Sequence, residues 1–165
     1  MRKVIFDLDQ TLVDTTSLEG LRRARKWNDV YSLIPQTVLY DGMRDVLDVL
    51  EKHAIPVVIV STSPRAYIER VVKHHNIPVK AIIGYHDVVD IKPAPEAMLK
   101  ALECLGCSPK DAISFGDRAI DIKASNAAGI ESVACFWGTQ EKRELLHSGY
   151  THAIVSPMEI LTLIR

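Results

Sequence analysis

Short β-branched runs alternate with helix-patterned stretches along this chain, and that alternation constrains the fold more than any other feature. Val4-Ile5-Phe6-Asp7-Leu8, Val57-Val58-Ile59-Val60, Ala81-Ile82-Ile83, Ala112-Ile113-Ser114-Phe115, Ser132-Val133-Ala134-Cys135-Phe136 and Ala153-Ile154-Val155 read as buried strands. Between them, apolar residues recur at i, i+3, i+4 and i+7: Met43, Val46, Leu47, Leu50; Ile68, Val71, Val72, with His75; and Met98, Ala101, Leu102, Leu105. Gly106 and Gly129 stand where a left-handed residue ends a helix, and Pro64, Pro95, Pro109 and Pro157 stand near helix starts. Strands separated by helices must run parallel, with the crossovers covering the sheet. The expectation is a three-layer, Rossmann-like α/β fold with helices on both faces of a parallel sheet. No internal repeat or linker breaks the pattern, so residues 1–165 are expected to form one domain.

Composition narrows the function classes. With 47% hydrophobic and 25% charged residues, the 165-residue chain can bury a core without a membrane. A net charge of −1 gives no global field for nucleic acid or a lipid surface. No stretch has the length of a transmembrane span. Met1 leads straight into strand, so no signal peptide is expected. Cys104, Cys107 and Cys135 form an odd set that suits reduced thiols in the cytoplasm.

In a parallel sheet, ligands bind beyond the carboxyl ends of the strands, where the strand order reverses. The chemistry of this chain gathers at those ends. Asp7 and Asp9 leave the first strand two residues apart, where the alternation breaks into a turn and both can reach one site. Such a pair can divide attack from proton transfer, but like charges so close call for a cation or a raised pKa. Ser61-Thr62-Ser63-Pro64 brings hydroxyls to the start of a helix, an anion cradle. Gly116-Asp117-Arg118-Ala119-Ile120-Asp121 adds two carboxylates on one helical face. Lys92 precedes Pro93 and Pro95, which stiffen its loop. Acids, a hydroxyl and a lysine on one edge, all with oxygen ligands, suit magnesium and a phosphate group.

These segments together resemble the haloacid dehalogenase-like hydrolase superfamily. Asp7-Leu8-Asp9-Gln10-Thr11-Leu12-Val13-Asp14 is similar to its first motif, and the run from Val57 to Ser61 to its second. Lys92-Pro93-Ala94-Pro95-Glu96 is similar to the third, and residues 116–121 to the fourth. The resemblance implies that Asp7 is the nucleophile that accepts the phosphoryl group. Asp9 would protonate the leaving oxygen and then activate water. Ser61 and Lys92 would hold the phosphoryl oxygens. Magnesium would be held by Asp7, the backbone carbonyl of Asp9, and Asp117, with Asp121 assisting. An acid at position 9 implies a phosphatase, with a phosphotransferase or mutase, or a non-catalytic domain keeping the fold, as alternatives. The implied substrate is a small phosphorylated molecule, or a phosphate carried on a macromolecule.

Gln10 departs from the glycine common at its position. Residues 15–40 are too short for the large helical cap of many relatives and are expected to form one small helix after the first strand. There Trp27, Val30, Tyr31 and Ile34 share a face, just after Arg22, Arg23, Arg25 and Lys26. These basic residues are a solvated turn or an overhang that draws an anionic substrate, with Thr62 and Arg118 as further candidate contacts. Cys104 and Cys107 lack a second pair for zinc and are expected to pack; His74 and His75 are expected to be structural.

Overall fold

A computed structural model describes all 165 residues. The strands are β1 (Lys3–Phe6), β2 (Val13–Asp14), β3 (Val38–Leu39), β4 (Val57–Val60), β5 (Ala81–Ile83), β6 (Ala112–Gly116), β7 (Glu131–Cys135) and β8 (His152–Ile154). The helices are α1 (Glu19–Arg23), α2 (Trp27–Leu33), α3 (Met43–Lys52), α4 (Arg65–His74), α5 (Glu96–Leu105), α6 (Ala119–Ala127), α7 (Lys142–Leu146) and α8 (Ile160–Leu163). Six strands form one parallel sheet in the order β5-β4-β1-β6-β7-β8. From β1 the chain moves outward through β4 and β5, then returns to the other side of β1 with β6. The strand order therefore reverses at β1, which opens a crevice at its carboxyl end.

The alternation of side chains divides the core in two. Val4 and Phe6 of β1, Val57 and Ile59 of β4, and Ile113 and Phe115 of β6 face α3, α4 and α8 in one cluster. Ile5, Val58 and Val60 face α5 and α6 on the other side. Met43, Val46, Leu47 and Leu50 are fully buried on α3, as their spacing predicts. Each such side chain contributes roughly 1.5–3 kcal/mol by leaving water. Gly106 and Gly129 take left-handed φ values of 60° and 74° after α5 and α6, the helix endings expected of them.

Register sets the site. Phe6 is paired with Ile59 on one side and with Phe115 on the other. Asp7 therefore emerges at the sheet edge together with Ser61 and Asp117. Strand β1 ends at Phe6, two residues earlier than its apolar run suggests. The carbonyl of Leu8 accepts the amides of Leu12 and Val13 (3.0 and 3.2 Å), and Gln10 adopts a left-handed φ of 63°. A tight loop thus replaces the strand and carries Asp9 out of the sheet. Strands β7 and β8 each begin one residue before the apolar pattern does, which leaves Phe136 and the exposed Val155 outside them.

The insertion after β1 holds two short helices, α1 and α2, and not the single helix expected; a left-handed Arg25 (φ 55°) breaks it between them. The antiparallel pair β2–β3 closes its base. Val30 and Ile34 are buried, and Trp27 and Tyr31 pack against the same core cluster. Leu47→Ala is expected to destabilise the protein by roughly 2–5 kcal/mol, because it leaves a cavity under β1. Leu99→Ala, at a position 47% exposed on α5, should stay within roughly 0.5 kcal/mol. Urea titration of the two variants measures the contrast.

Candidate active site

At the carboxyl end of β1 and β6, carboxylate oxygens of Asp7, Asp117 and Asp121 all lie within 4.8 Å of one another. Burial pushes the Asp7 carboxyl up to about 6, and the neighbouring Asp121 raises it further than Lys92 can lower it. Asp117 is held well above the usual carboxylate range by burial first, then by Asp7 and Asp121. Three crowded acids in a dry place are costly unless positive charge joins them. An all-oxygen set of this kind fits a hard divalent cation.

Lys92 supplies one positive charge. Its ammonium donates to Asp7 Oδ1 (3.0 Å), Asp121 Oδ1 (2.5 Å) and the Val60 carbonyl (3.1 Å), so a loop residue is fastened to β1, β4 and α6. Burial works against the ammonium, but Asp121 and Asp7 outweigh it and keep Lys92 charged. The loop is anchored by Glu96, whose carboxylate accepts the amides of Val89 and Asp90 (2.8 Å each). Asp121 Oδ2 accepts the amides of Asp117 and Arg118 (3.2 and 2.9 Å) at the start of α6. Gly116 makes this approach possible, since a Cβ there would lie 2.4 Å from Asp121 Cβ. Thr11 Oγ1 donates to Asp117 Oδ1 (3.1 Å).

Asp9 faces the other way, toward the insertion and α4. Its Oδ1 accepts from Thr15 Oγ1 and the Tyr67 hydroxyl, both at 2.6 Å. Its Oδ2 accepts from Arg22 at 3.0 Å and Ser63 Oγ at 3.4 Å. Arg22 also donates to Ser63 Oγ (2.9 Å), and its guanidinium lies over the Tyr67 ring, 4.9 Å from the centroid. Burial, then the charge of Asp9, raises the Tyr67 pKa, so the phenol stays protonated and donates. Gln10, left-handed and buried, donates from Nε2 to Thr15 Oγ1 (3.2 Å) and accepts from the Tyr40 hydroxyl (3.1 Å).

A cavity of about 680 Å³ joins these groups. Of the residues singled out in the sequence, Asp7, Asp9, Ser61, Thr62, Lys92, Asp117, Arg118 and Asp121 line it, as do Arg22, Arg23 and Arg25 of the insertion. Lys26 lies outside the cavity lining, and the apolar face that follows the basic turn packs on the core. Arg118 is engaged by Glu141 (2.7 Å) and Arg23 by Glu19 (2.6 Å). Cys104 and Cys107 pack beside the core under α5 as free thiols. His75 contacts Thr37 Oγ1 at 2.8 Å, and burial, then His74, lowers its pKa to about 4, so it is a neutral structural group. The sequence reading missed Thr15, Tyr67, His86 and Glu141, and it placed Ser63 in the anion cradle without its link to Asp9. Tyr67 and Ser63 sit within or beside recognisable helical and hydroxyl-rich segments, but nothing in their spacing pairs them with Asp9. No helix is long and apolar enough to cross a membrane.

Known proteins resemble this chain in sequence and in fold. Residues 19–135 match the haloacid dehalogenase-like hydrolase family. The chain is 30% identical over 130 residues to a phosphoglycolate phosphatase of Escherichia coli strain K12, covering 76% of this chain and 52% of that protein. It is 28% identical over 111 residues to a phosphoglycolate phosphatase of Pseudomonas putida, covering 66% and 41%. It thus spans about half the length of the curated relatives it matches. Among solved structures, CbbY from Rhodobacter sphaeroides in complex with phosphate superposes with a TM-score of 0.81 at 17% identity, over 97% of this chain and 96% of that one. A haloacid dehalogenase-like family hydrolase from Streptococcus pneumoniae gives 0.78 at 21% identity, over 100% and 99%. Both structures share the fold of this chain. With a matched segment running from the insertion to the end of β7, the chain belongs to the haloacid dehalogenase-like hydrolase family.

Proposed function

We propose that this chain is a magnesium-dependent phosphatase that hydrolyses a small phosphate monoester through an aspartyl phosphate on Asp7. One observation carries the reading: a buried lysine bridges two members of a three-carboxylate cluster at the switch point of the sheet. Such a cluster is poorly suited to structure alone and well suited to neutralising a phosphoryl group and a cation together.

In the proposed reaction an Asp7 oxygen attacks phosphorus, and the bond to the leaving oxygen breaks. Asp9 relays a proton to that oxygen. Water then attacks the aspartyl phosphate, passing a proton to Asp9, and the bond between phosphorus and the Asp7 oxygen breaks to release inorganic phosphate. Ser61 and Lys92 hold equatorial oxygens, and Thr11 orients Asp117. Magnesium, held by Asp7, the Asp9 carbonyl and Asp117 with Asp121 beside them, would offset the charge on the transferring oxygens. Residues 1–165 act as one unit in this reading, with residues 15–40 forming the roof of the site. Three free thiols support a cytoplasmic setting.

Asp7→Asn, nearly isosteric but unable to attack, should lower turnover of an aryl phosphate on the order of 10³-fold or more while the melting temperature is kept. Substantial residual turnover in a correctly folded variant would overturn the assignment of the nucleophile.

The metal has a separate test in stability. A folded-state Asp7 pKa near 6, above its ordinary value of 3.8, means that the native state holds a proton the unfolded chain has lost. The metal-free protein should therefore lose stability as pH rises through about 6. Magnesium binds the ionised cluster, so it should raise the melting temperature more at pH 7.5 than at pH 5. Equal shifts at both pH values, or none, would contradict a site built on these acids.

A further inference from the structure

The two carboxylate oxygens of Asp9 stand in different surroundings. Oδ1 accepts from Thr15 Oγ1 and the Tyr67 hydroxyl, both at 2.6 Å. Both of these residues are fully buried, and neither lines the cavity. Oδ2 accepts from Arg22 at 3.0 Å and from Ser63 Oγ at 3.4 Å, and both of those residues line the cavity. Oδ1 is therefore turned into the wall of the site and Oδ2 toward its interior. Short bonds hold the wall side; the cavity side has longer ones that a ligand can replace. The wall donors are themselves fixed. Tyr67 lies in the first turn of α4, with Trp27 packed beside its ring at 6.0 Å between centroids and the Arg22 guanidinium over it at 4.9 Å. A ring held in this way aims its hydroxyl in one direction, and a buried phenol needs a partner there. Gln10 sets the direction of Thr15: its Nε2 donates to Thr15 Oγ1 (3.2 Å), which leaves the hydroxyl proton for Asp9.

We propose that Tyr67, backed by Thr15, is a positioning residue for the proton relay: it fixes Asp9 Oδ1 and so presents Oδ2 to the leaving oxygen. The inference rests on the phosphatase reading and deepens it by assigning which carboxylate oxygen works. A carboxylate free to turn about its last bond offers a bound ester either oxygen at a range of distances. Two donors behind one oxygen remove that freedom, and a misplacement of about 1 Å can cost on the order of 10²-fold in rate. Tyr67 touches neither the ester nor the phosphoryl group in this arrangement and acts through Asp9 alone. Its ring serves the core, as the helical spacing requires, while its hydroxyl serves the site.

The leaving group supplies the test. Ethyl phosphate loses an alkoxide, which needs a proton as its bond to phosphorus breaks; 4-nitrophenyl phosphate loses a stabilised phenolate, which needs little help. The readout is the ratio of kcat/KM for ethyl phosphate to that for 4-nitrophenyl phosphate, with magnesium present. Because kcat/KM covers the steps up to departure of the alcohol, it reads this proton transfer without the later hydrolysis of the aspartyl phosphate. The ratio should fall about tenfold or more in Tyr67→Phe, the loss expected for a hydrogen bond to a charged group. Thr15→Val should lower it in the same direction, and Thr15→Ser, which keeps a hydroxyl, should recover most of it. A Tyr67 needed only for packing would lower both esters together, and that unchanged ratio would overturn the inference. Melting temperature checks the fold of each variant, and Thr15→Val decides the question if Tyr67→Phe does not fold. Asp9→Asn sets the scale and separates the two readings. A fall in the ratio there, with none in Tyr67→Phe or Thr15→Val, overturns the positioning role alone. No fall in Asp9→Asn, or no turnover of either ester by the wild type, removes the phosphatase reading with its acid, and the positioning role with it.

Discussion

Like charges held within a few ångströms in a dry pocket repel strongly, and the middle of this protein is organised around that repulsion. Asp7, Asp117 and Asp121 come from two strand exits and the first turn of a helix, and their meeting is tolerated because Lys92 sits among them. The lysine reaches in from a loop whose own backbone is pinned by Glu96. The helix that carries Asp121 approaches because Gly116 leaves room for it. Without Lys92 the acids lose their offsetting charge, and with a Cβ at position 116 Asp121 is pushed out of its place. Burial first, and then the charge of Asp121, hold the Asp7 pKa up despite Lys92, and a divalent cation suits such a cluster.

Much of this arrangement was legible from residue order. Period-two and period-3.6 patterns identify the strands and the long helices because those elements are amphipathic or fully buried, and burial leaves a regular mark on sequence. The acids at positions 7, 117 and 121 could be placed on one edge because parallel strands end on one edge. The departures occur where local geometry outweighs pattern. Leu8 looks like strand, yet its carbonyl gathers the amides of a tight loop, helped by a left-handed Gln10. Helices α1 and α2 look like one helix, yet Arg25 breaks them with a positive φ, a conformation seldom written into a non-glycine residue.

The environment of Asp9 was hidden for another reason. Its four donors come from Thr15, Arg22, Ser63 and Tyr67, which span 52 positions of sequence from Thr15 to Tyr67 and two separate segments. No spacing rule links them; they are neighbours because the insertion folds back over the start of α4. Tyr67 shows the difficulty well. It occupies a core position on its helix, with a ring that is fully buried, while its hydroxyl emerges at the one point where Asp9 needs a donor. A reader of the sequence sees an apolar face and has no cause to look for a polar tip.

The narrow ribbon of β2 and β3 carries a consequence for how such proteins change over time. Two residues of each strand pair where the insertion leaves the domain and where it returns, so the two ends of the excursion are stapled together independently of what lies between. Lengthening a loop between fixed ends costs little, with each doubling adding only about 0.6 kcal/mol of closure entropy. The ribbon is in effect a doorframe. Whole rooms can be built or demolished beyond it while the sheet, the acids and the lysine stand undisturbed, and lineages can trade one roof for another without relearning the chemistry beneath.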